Sequence, residues 1–447
     1  MNQRIDMEIE IQGSGSELQG VGRCEDGRAV FVKGALAGER VRVRETRASS
    51  RFLEAELLEV LSPSPHRRTP QCPHYAHCGG CQALHMDYDY SLALKQQRVL
   101  DALERIGGFD APNVLPILGM EQPFHYRNKA EYAIEADSSG VRVGFRAPMS
   151  HRVIDAPDCL LQHPLSLRAA QTLREWLTRY PGAAALCRAL VTRVTSAGEL
   201  MAVLCTGPRA PREMEALVQA MFGQIPGMAS FYHLTQSNRP SHALDGQVRL
   251  VRGERTLIDR ILGLEFSISP QSFFQVNPVQ TQTLYAEALK AAQLTGNERV
   301  HDAYCGAGTI SLAMARQARQ VVGVEIVKSA VLDARENALR NGLDQKSEFI
   351  LGDAARILPD LKGGAPDVIC VDPPRKGIEP ALVESIRKSA PRRVVYVSCN
   401  PATLARDLKL LCADGAFCLE SVRPVDMFPW TGHVETVALL QREALRK

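Results

Sequence analysis

The chain has 447 residues, of which 45% are hydrophobic and 23% are charged. This composition is typical of soluble globular proteins and excludes a mainly disordered or fibrous chain, and the length suggests roughly two to four domains. No apolar run approaches the roughly 18 residues that a membrane helix needs. The first residues lack the basic region and apolar core of a secretory signal. We therefore expect a cytoplasmic protein that does not enter a membrane.

The net charge of +3 is too small to indicate a nucleic-acid partner by itself. Its distribution is more informative, because five arginines crowd one short segment: Arg40, Arg42, Arg44, Arg47 and Arg51. Taken alone, this segment is a solvated strand face. Beside other indications of RNA binding, it is a candidate surface for backbone phosphates.

Short strands with glycine-rich turns fill the first 62 residues. Alternation is clear in Ala29–Val32 and in Arg40–Arg44, and a small unit of this kind predicts a five-stranded barrel of the oligonucleotide-binding type. The segment Ser62-Pro63-Ser64-Pro65 then reads as a linker. From 63 to 270 we expect an α+β domain that contains a helix over Tyr88–Ile106.

Twelve cysteines in a cytosolic chain do not indicate disulfides, because the cytosol keeps thiols reduced. Cys72, Cys78 and Cys81 cluster within ten residues, and Cys159 is the best candidate for a fourth ligand. Four thiolates suit either a zinc ion or an iron–sulfur cluster, and spacing alone does not decide between them. His74 and His77 are alternative zinc ligands.

Helices and strands alternate from about residue 271 to the end. Predicted strands such as Arg299–Asp302 and Gln320–Ile326 are each followed by a helix, which indicates a parallel, doubly wound sheet. The prediction is therefore a multidomain α/β protein with a barrel over residues 1–62, a middle α+β domain over 63–270 and a Rossmann-like domain over 271–447. A helix near 88–108 is expected to pack on the last domain.

A cofactor site is predicted at three successive strand ends of the Rossmann-like domain. The glycines in Asp302–Thr309 allow a ligand to approach the backbone. Glu325 ends the next strand, where a carboxylate can accept both ribose hydroxyls, and Asp353 follows a third strand, where it can bind an adenine amine. This layout resembles the S-adenosylmethionine site of class I methyltransferases.

The segment Asp372-Pro373-Pro374-Arg375 follows a buried strand and forms a rigid loop at the ligand-binding edge of the sheet. Asp372 is therefore a further candidate for contact with the cofactor. A related Asp-Pro-Pro loop occurs in amino-methyltransferases, where the next residue is normally an aromatic that sandwiches the base. Here Arg375 takes that place, which disfavours N-methylation.

Two residues are candidates for catalysis. Cys399, in Ser398-Cys399-Asn400-Pro401, lies between a strand end and a helix whose N-terminus is expected to lower the pKa of the thiol, as suits a nucleophile. Glu435 precedes the last apolar strand, and a carboxylate at the rim of the pocket can be a general base. A small buried cysteine and an exposed glutamate are the structural alternatives.

Taken in order, these motifs resemble the RNA uracil-C5-methyltransferases, and most closely their iron–sulfur-containing 23S ribosomal RNA branch. The resemblance covers essentially the whole chain and adds the motif Ser272–Asn277. It implies that the barrel is a TRAM domain, that Gln275, Tyr304 and Thr309 contact S-adenosylmethionine, and that Cys72, Cys78, Cys81 and Cys159 hold a 4Fe-4S cluster. Thr309 stands where relatives often have asparagine.

The resemblance also implies the reaction. Cys399 attacks C6 of a uridine flipped out of its stack, C5 accepts the methyl group, and Glu435 removes the C5 proton. We expect a monomer that acts on 23S ribosomal RNA. The alternatives are the same chemistry in the T loop of transfer RNA, amino-methylation of RNA or DNA, and a non-catalytic iron–sulfur RNA-binding module.

Overall fold

The computed structural model of the protein describes residues 6–138, 140–236, 242–361 and 364–443. The outermost limits of the predicted domains, residues 1 and 447, lie outside these ranges. No helix within them is long and apolar enough to cross a membrane.

The first unit is a closed five-stranded barrel, which confirms the predicted fold of this region. Ile9, Ile11, Val41 and Val43 alternate with polar residues along two strands, and their side chains fill the interior. The strands follow the order β1-β2-β3-β5-β4; they are β1 Asp6–Ser14, β2 Gly20–Arg23, β3 Ala29–Val32, β4 Arg40–Ala48 and β5 Phe52–Ser62.

The arginines of β4 are neutralised by acidic residues of neighbouring strands. The paired atoms lie 2.6 Å apart in Arg40–Glu8, 3.0 Å in Arg42–Glu59, 2.8 Å in Arg44–Asp6 and 3.6 Å in Arg47–Glu54. The sequence pattern located these arginines on one strand but could not show the acids opposite them. This face is therefore a set of exposed ion pairs, which makes it a poorer phosphate-binding surface than its arginines suggested.

Helix α1, Tyr88–Ala102, follows the cysteine-rich stretch and continues into a π-helical turn, Leu103–Gly107. Gly108, at φ +72°, ends it with a left-handed residue. Val99, Ala102 and Leu103 are buried in the hydrophobic core of the last domain. The helix thus packs against the last domain although it lies far from it in sequence.

The middle unit is a seven-stranded mixed sheet in the order β12-β11-β10-β9-β6-β7-β8. Its core is formed by side chains such as Tyr132, Trp176 and Phe231. Its strands are β6 Lys129–Asp137, β7 Gly140–Arg146, β8 Val153–Asp155, β9 Cys187–Val194, β10 Leu200–Thr206, β11 Met228–Gln236 and β12 Gly246–Gly253. Its helices are α2 Pro164–Arg179, α3 Pro181–Ala184 and α4 Met214–Gln224, and a hairpin follows, β13 Leu257–Ile261 with β14 Leu264–Ile268.

The last unit is a second seven-stranded sheet in the order β17-β16-β15-β18-β19-β21-β20. Its strands are β15 Arg299–Asp302, β16 Gln320–Glu325, β17 Ser347–Leu351, β18 Val368–Val371, β19 Arg393–Ser398, β20 Phe417–Val425 and β21 Glu435–Arg442. Its helices are α5 Pro278–Ala292, α6 Thr309–Ala315, α7 Lys328–Arg340, α8 Ala354–Ile357, α9 Pro380–Ser389 and α10 Pro401–Leu411.

The prediction of a wholly parallel sheet is wrong at one edge. β21 runs antiparallel to both β19 and β20, whereas the five strands β15 to β19 are parallel to one another. β20 was not predicted, because it is half-buried, carries Pro424 and is interrupted between Leu419 and Ser421. The antiparallel strand has a functional consequence, since its first residue meets the carboxyl ends of the parallel strands.

Candidate active site

The glycine loop after β15 has the geometry of a ligand-binding turn. Gly306 and Gly308 adopt φ angles of +52° and +82°, which glycine tolerates best. A Cβ on Gly308 would approach the Phe349 ring to 3.1 Å, whereas a Cβ on Gly306 would meet no atom within 4 Å. Gly308 is thus required for packing, and Gly306 faces open space that a ligand can use.

Below this loop, a buried carboxylate holds the turn in place. Asp302 accepts a hydrogen bond from the Ser311 hydroxyl at 2.5 Å and another from the Tyr304 amide at 3.3 Å. Burial raises the pKa of Asp302 to about 6. The end of β15 is therefore fixed to the first turn of α6.

One cavity of about 600 Å³ adjoins the loop. All six residues predicted to contact the cofactor line it: Gln275, Tyr304, Thr309, Glu325, Asp353 and Asp372. Glu325 accepts hydrogen bonds from the amides of Gly306 at 3.1 Å and Val327 at 2.8 Å, so its carboxylate is held at the cavity wall with acceptor capacity left. Asp353 accepts from the Ala355 amide at 3.0 Å.

The loop that contains Gln275 is held by the middle domain. Asn128 donates from its side chain to the Gln275 carbonyl at 3.0 Å, and the buried Arg193 donates to the Ser272 carbonyl. Phe274 is buried, whereas Phe273 is 80% exposed at the cavity. The sequence analysis did not single out Phe273; the signal was two adjacent phenylalanines in a loop, of which only one can face the core.

Strand register places the two predicted catalytic residues opposite each other. Ser398 of β19 is the antiparallel partner of Thr436 of β21, so the next residue, Cys399, lies across from Glu435. The Thr436 hydroxyl donates to the Ser398 carbonyl at 3.0 Å, which holds the two strand ends together. A nucleophile and a carboxyl group thus share one edge of the sheet.

The Asp372–Arg375 loop closes over the same edge. Asn400, which caps α10, and Thr403 both donate to the Arg375 carbonyl at 3.2 Å. Asp372 lines the cofactor cavity and also lies close enough to Glu435 and Cys399 to influence their ionisation. It therefore lies between the cofactor cavity and the catalytic pair.

The expected lowering of the Cys399 pKa is wrong for the free protein. Burial, followed by the charges of Glu435 and Asp372, raises the pKa of this thiol to about 11, against a smaller opposing effect of Arg375. Burial and Asp372 also raise the pKa of Glu435 to about 8, and burial with Asp302 raises that of Asp372 to about 7. Burial is the largest cause of each shift, and the neighbouring carboxyl groups add to it.

At pH 8 the Glu435→Gln variant should be more stable than the native protein. The unfolded chain ionises this carboxyl group near its ordinary pKa of 4.5, whereas the folded chain retains the proton up to about pH 8. The folded state therefore loses stability as the pH rises between these values. Since one pKa unit corresponds to about 1.4 kcal/mol, we expect the variant to gain on the order of 2–4 kcal/mol at pH 8 and little near pH 5. Chemical denaturation at both pH values measures this, and an equal gain at both would contradict the assignment.

The four clustered cysteines line a separate cavity of about 420 Å³. Burial raises the pKa of Cys159 to about 11, and Cys78 and Cys72 act in the same direction, because these thiols face one another. In the part of the chain that the structure describes, no three or more His, Cys, Asp or Glu side chains are arranged to hold a metal ion. His74 is hydrogen-bonded to Asp158 at 2.8 Å.

A group of cations beside Glu435 was missed by the sequence analysis. His433 keeps part of its side chain at the surface, and desolvation of the ring by the neighbouring protein, with the charges of Arg375, Arg98, Lys95 and Arg127, lowers its pKa. None of these three arginines forms an ion pair with a carboxylate of the described residues. The three come from distant parts of the chain, so no local pattern could reveal them.

The sequence matches two known families. Residues 254–351 and 357–443 match the family described as tRNA (Uracil-5-)-methyltransferase. Residues 3–58 match the TRAM domain. The first match contains the glycine loop, Cys399 and Glu435, and the second contains nearly all of the barrel.

Similar proteins span the whole chain. An uncharacterised RNA methyltransferase of Halalkalibacterium halodurans is 40% identical over 99% of this chain and 98% of its own length. Another, of Caldanaerobacter subterraneus subsp. tengcongensis, is 41% identical over 97% of this chain and 98% of its own. A solved structure, the Pyrococcus abyssi tRNA (uracil-54, C5)-methyltransferase with S-adenosyl-L-homocysteine, is 25% identical, with a TM-score of 0.76 over 97% of this chain and 100% of that one.

Proposed function

Since the chain belongs to the tRNA (uracil-5-)-methyltransferase family and is an S-adenosylmethionine-dependent RNA (uracil-5-)-methyltransferase, we propose that Cys399 and Glu435 catalyse the reaction and that 23S ribosomal RNA is the substrate. The observation that carries the catalytic proposal is the β19–β21 register, which sets a thiol opposite a carboxyl group beside the cofactor cavity.

The chemistry of uracil requires a nucleophile such as Cys399. C5 is too weak a nucleophile to accept a methyl group directly. When the thiol gives its proton to solvent and the sulfur bonds to C6, the electron pair of the C5–C6 double bond moves towards O4 and makes C5 enolate-like. The sulfonium of S-adenosylmethionine supplies the methyl group to which C5 then bonds.

Glu435 completes the reaction as a general base. After methyl transfer C5 carries both a methyl group and a proton. The carboxylate accepts that proton, the C5–C6 double bond re-forms, and the bond from C6 to the Cys399 sulfur breaks. A pKa near 8 makes this carboxylate a stronger base than an ordinary glutamate, which suits removal of a carbon-bound proton.

Glu325→Ala should weaken binding of S-adenosylmethionine by about tenfold or more, because a charge-assisted hydrogen bond contributes about 1.5–3 kcal/mol. The carboxylate is held at the cavity wall by two backbone amides, so its position is preset for the ribose hydroxyls. Isothermal titration calorimetry of the variant measures the change, with Glu348→Gln on the neighbouring strand, exposed and outside the cavity, as control. Unchanged affinity in Glu325→Ala would refute the assignment.

RNA binds at the surface next to Cys399 and Glu435, on the side that faces away from the hydrophobic core. Arg98, Arg127 and Arg375 surround His433 without carboxylate partners and suit backbone phosphates. The exposed ring of Phe273 at the cavity suits stacking with the flipped uracil.

We propose that Cys72, Cys78, Cys81 and Cys159 hold a 4Fe-4S cluster. Support comes from the single cavity that all four line. A zinc ion draws its thiolates to within about 2.3 Å of one point, whereas a cluster fills a larger space between the same ligands. The cluster would tie the segment before α1 to the middle domain and takes no part in the methylation steps.

Protein purified without oxygen should accordingly be brown and contain iron and acid-labile sulfide. Cys81→Ser should lose both and weaken folding or RNA binding more than the chemical step. Cys412→Ser, which changes a thiol outside the cavity, should retain both. Metal analysis that finds one zinc ion and no iron would contradict the proposal.

The choice of 23S ribosomal RNA is supported by the combination of a TRAM barrel with a four-cysteine cavity in one chain. The specific observation in favour of transfer RNA is the full-length similarity to the archaeal enzyme, whose named substrate position is uracil 54. Mapping 5-methyluridine in ribosomal and transfer RNA from a deletion strain tests the choice. Loss of the mark from 23S ribosomal RNA alone is the expected result, and loss from transfer RNA alone would overturn it.

A further inference from the structure

Residues 426–434 connect β20 to β21 and end at the catalytic base. We call them the connection. Most of the hydrogen bonds that reach them come from residues 82–126, which precede the middle sheet in sequence, and the rest come from the start of α5. We infer that residues 82–126 position Glu435 by holding the connection in place, and we call this set of contacts the grip. This inference rests on the proposed function, because it assigns a role to the grip in the last step of that reaction.

A fully buried ion pair holds the start of the connection. The ammonium group of Lys95, on α1, lies 2.5 Å from the Asp426 carboxylate, and both side chains are 0% exposed. The same ammonium donates to the Phe428 carbonyl at 3.0 Å, and Tyr88 donates to the second Asp426 oxygen at 2.7 Å. A buried pair of this kind contributes little net stability, but removing only one partner leaves an uncompensated buried charge at a large cost.

Trp430 holds the centre of the connection. Its φ of +65° is left-handed, a conformation that a bulky residue keeps only when its surroundings enforce it. The Trp430 carbonyl accepts from the amides of Gln82 at 2.8 Å and Ala83 at 3.1 Å, and the indole N–H donates to the Pro123 carbonyl at 2.9 Å. The ring also stacks on Phe124.

The end of the connection is also held by residues 82–126, and the cysteine cavity packs against Trp430 at its centre. Arg98 donates to the Gly432 carbonyl at 2.5 Å, three residues before the base. Trp430 belongs to the same hydrophobic cluster as the partly buried Cys72, Cys81 and Cys159. The four-cysteine site is thus packed against the residue that sets the course of the chain towards Glu435.

Loss of these contacts should slow only the removal of the C5 proton by Glu435. Cys399 directly follows β19, and none of the contacts described above involves that strand, so attack on C6 and methyl transfer should proceed when the connection loosens. Proton removal should slow, because the base must stay within hydrogen-bonding reach of the C5 proton. A displacement of about 1 Å can slow a step by about 10²-fold.

The test follows formation and decay of the covalent RNA adduct on denaturing gels, with full-length protein, radiolabelled S-adenosylmethionine and transcribed 23S ribosomal RNA. The first variant, Lys95→Met with Asp426→Asn, removes both buried charges together. The second, Trp430→Phe, keeps an aromatic ring but loses the indole donor. Adduct should form at close to the native rate and decay roughly 10- to 100-fold more slowly.

Arg67→Met with Glu39→Gln is the matched control, because it likewise removes both charges of a different ion pair, that of the partly buried Arg67 with the buried Glu39 of the barrel. Its adduct should decay at the native rate. Native decay in both grip variants would overturn the inference, as would equal slowing in the control. Glu435→Gln is run beside them: if it does not stall the adduct, the proposed role of Glu435 fails and the inference fails with it.

Discussion

Cys399→Ala should reduce methyl transfer by roughly 10⁴-fold or more and should form no covalent complex with RNA. Without the bond to C6, C5 has no enolate-like character and cannot attack the methyl group. Transfer of radiolabel from S-adenosylmethionine to RNA measures the first effect, and a denaturing gel measures the second. Cofactor binding should persist, since Cys399 does not line the cofactor cavity.

The matched control is Cys412→Ala, which removes a partly buried thiol at the other end of α10. It should leave both activities near the native values. Methylation of uridine C5 by Cys399→Ala at a rate comparable to the native protein would eliminate the covalent mechanism.

Glu435→Gln should behave differently, because it blocks a later step. Attack and methyl transfer remain possible, but the amide cannot accept the C5 proton, so the bond to Cys399 persists. Methylated RNA should therefore stay attached to the protein under denaturing conditions, with turnover reduced by about 10²- to 10⁴-fold.

The double variant Cys399→Ala with Glu435→Gln is the decisive control for this adduct, since it should form none. Normal turnover with free product in the single Glu435→Gln variant would show that another group is the base. An amino-methyltransferase would form no adduct in any of these proteins.

Local patterns were sufficient to predict the barrel and the Rossmann-like core. Ile9 and Ile11 alternate with polar residues, and Gly306 and Gly308 punctuate a strand–helix junction, so each element could be read within a few residues. Glu325, Asp353 and Asp372 line one cavity because parallel strands end at one edge, whereas Gln275, Tyr304 and Thr309 were predicted from the family resemblance.

Features that depend on distant parts of the chain were not predictable in this way. The antiparallel course of β21 places Glu435 opposite Cys399, yet nothing near Glu435 in sequence fixes that direction. The raised pKa of Cys399 arises from burial and from carboxyl groups at the ends of two other strands. Trp430 has a left-handed backbone conformation, which the sequence does not indicate because bulky residues rarely adopt it.

The most direct test of the central claim is mass spectrometry of the Glu435→Gln complex after digestion with protease and ribonuclease. The mechanism predicts one modified peptide, which contains Cys399 and carries a uridine nucleotide with one added methyl group. Free Cys399 together with a methyl group on an exocyclic amine of the RNA, or a nucleotide attached to a different cysteine, would contradict it.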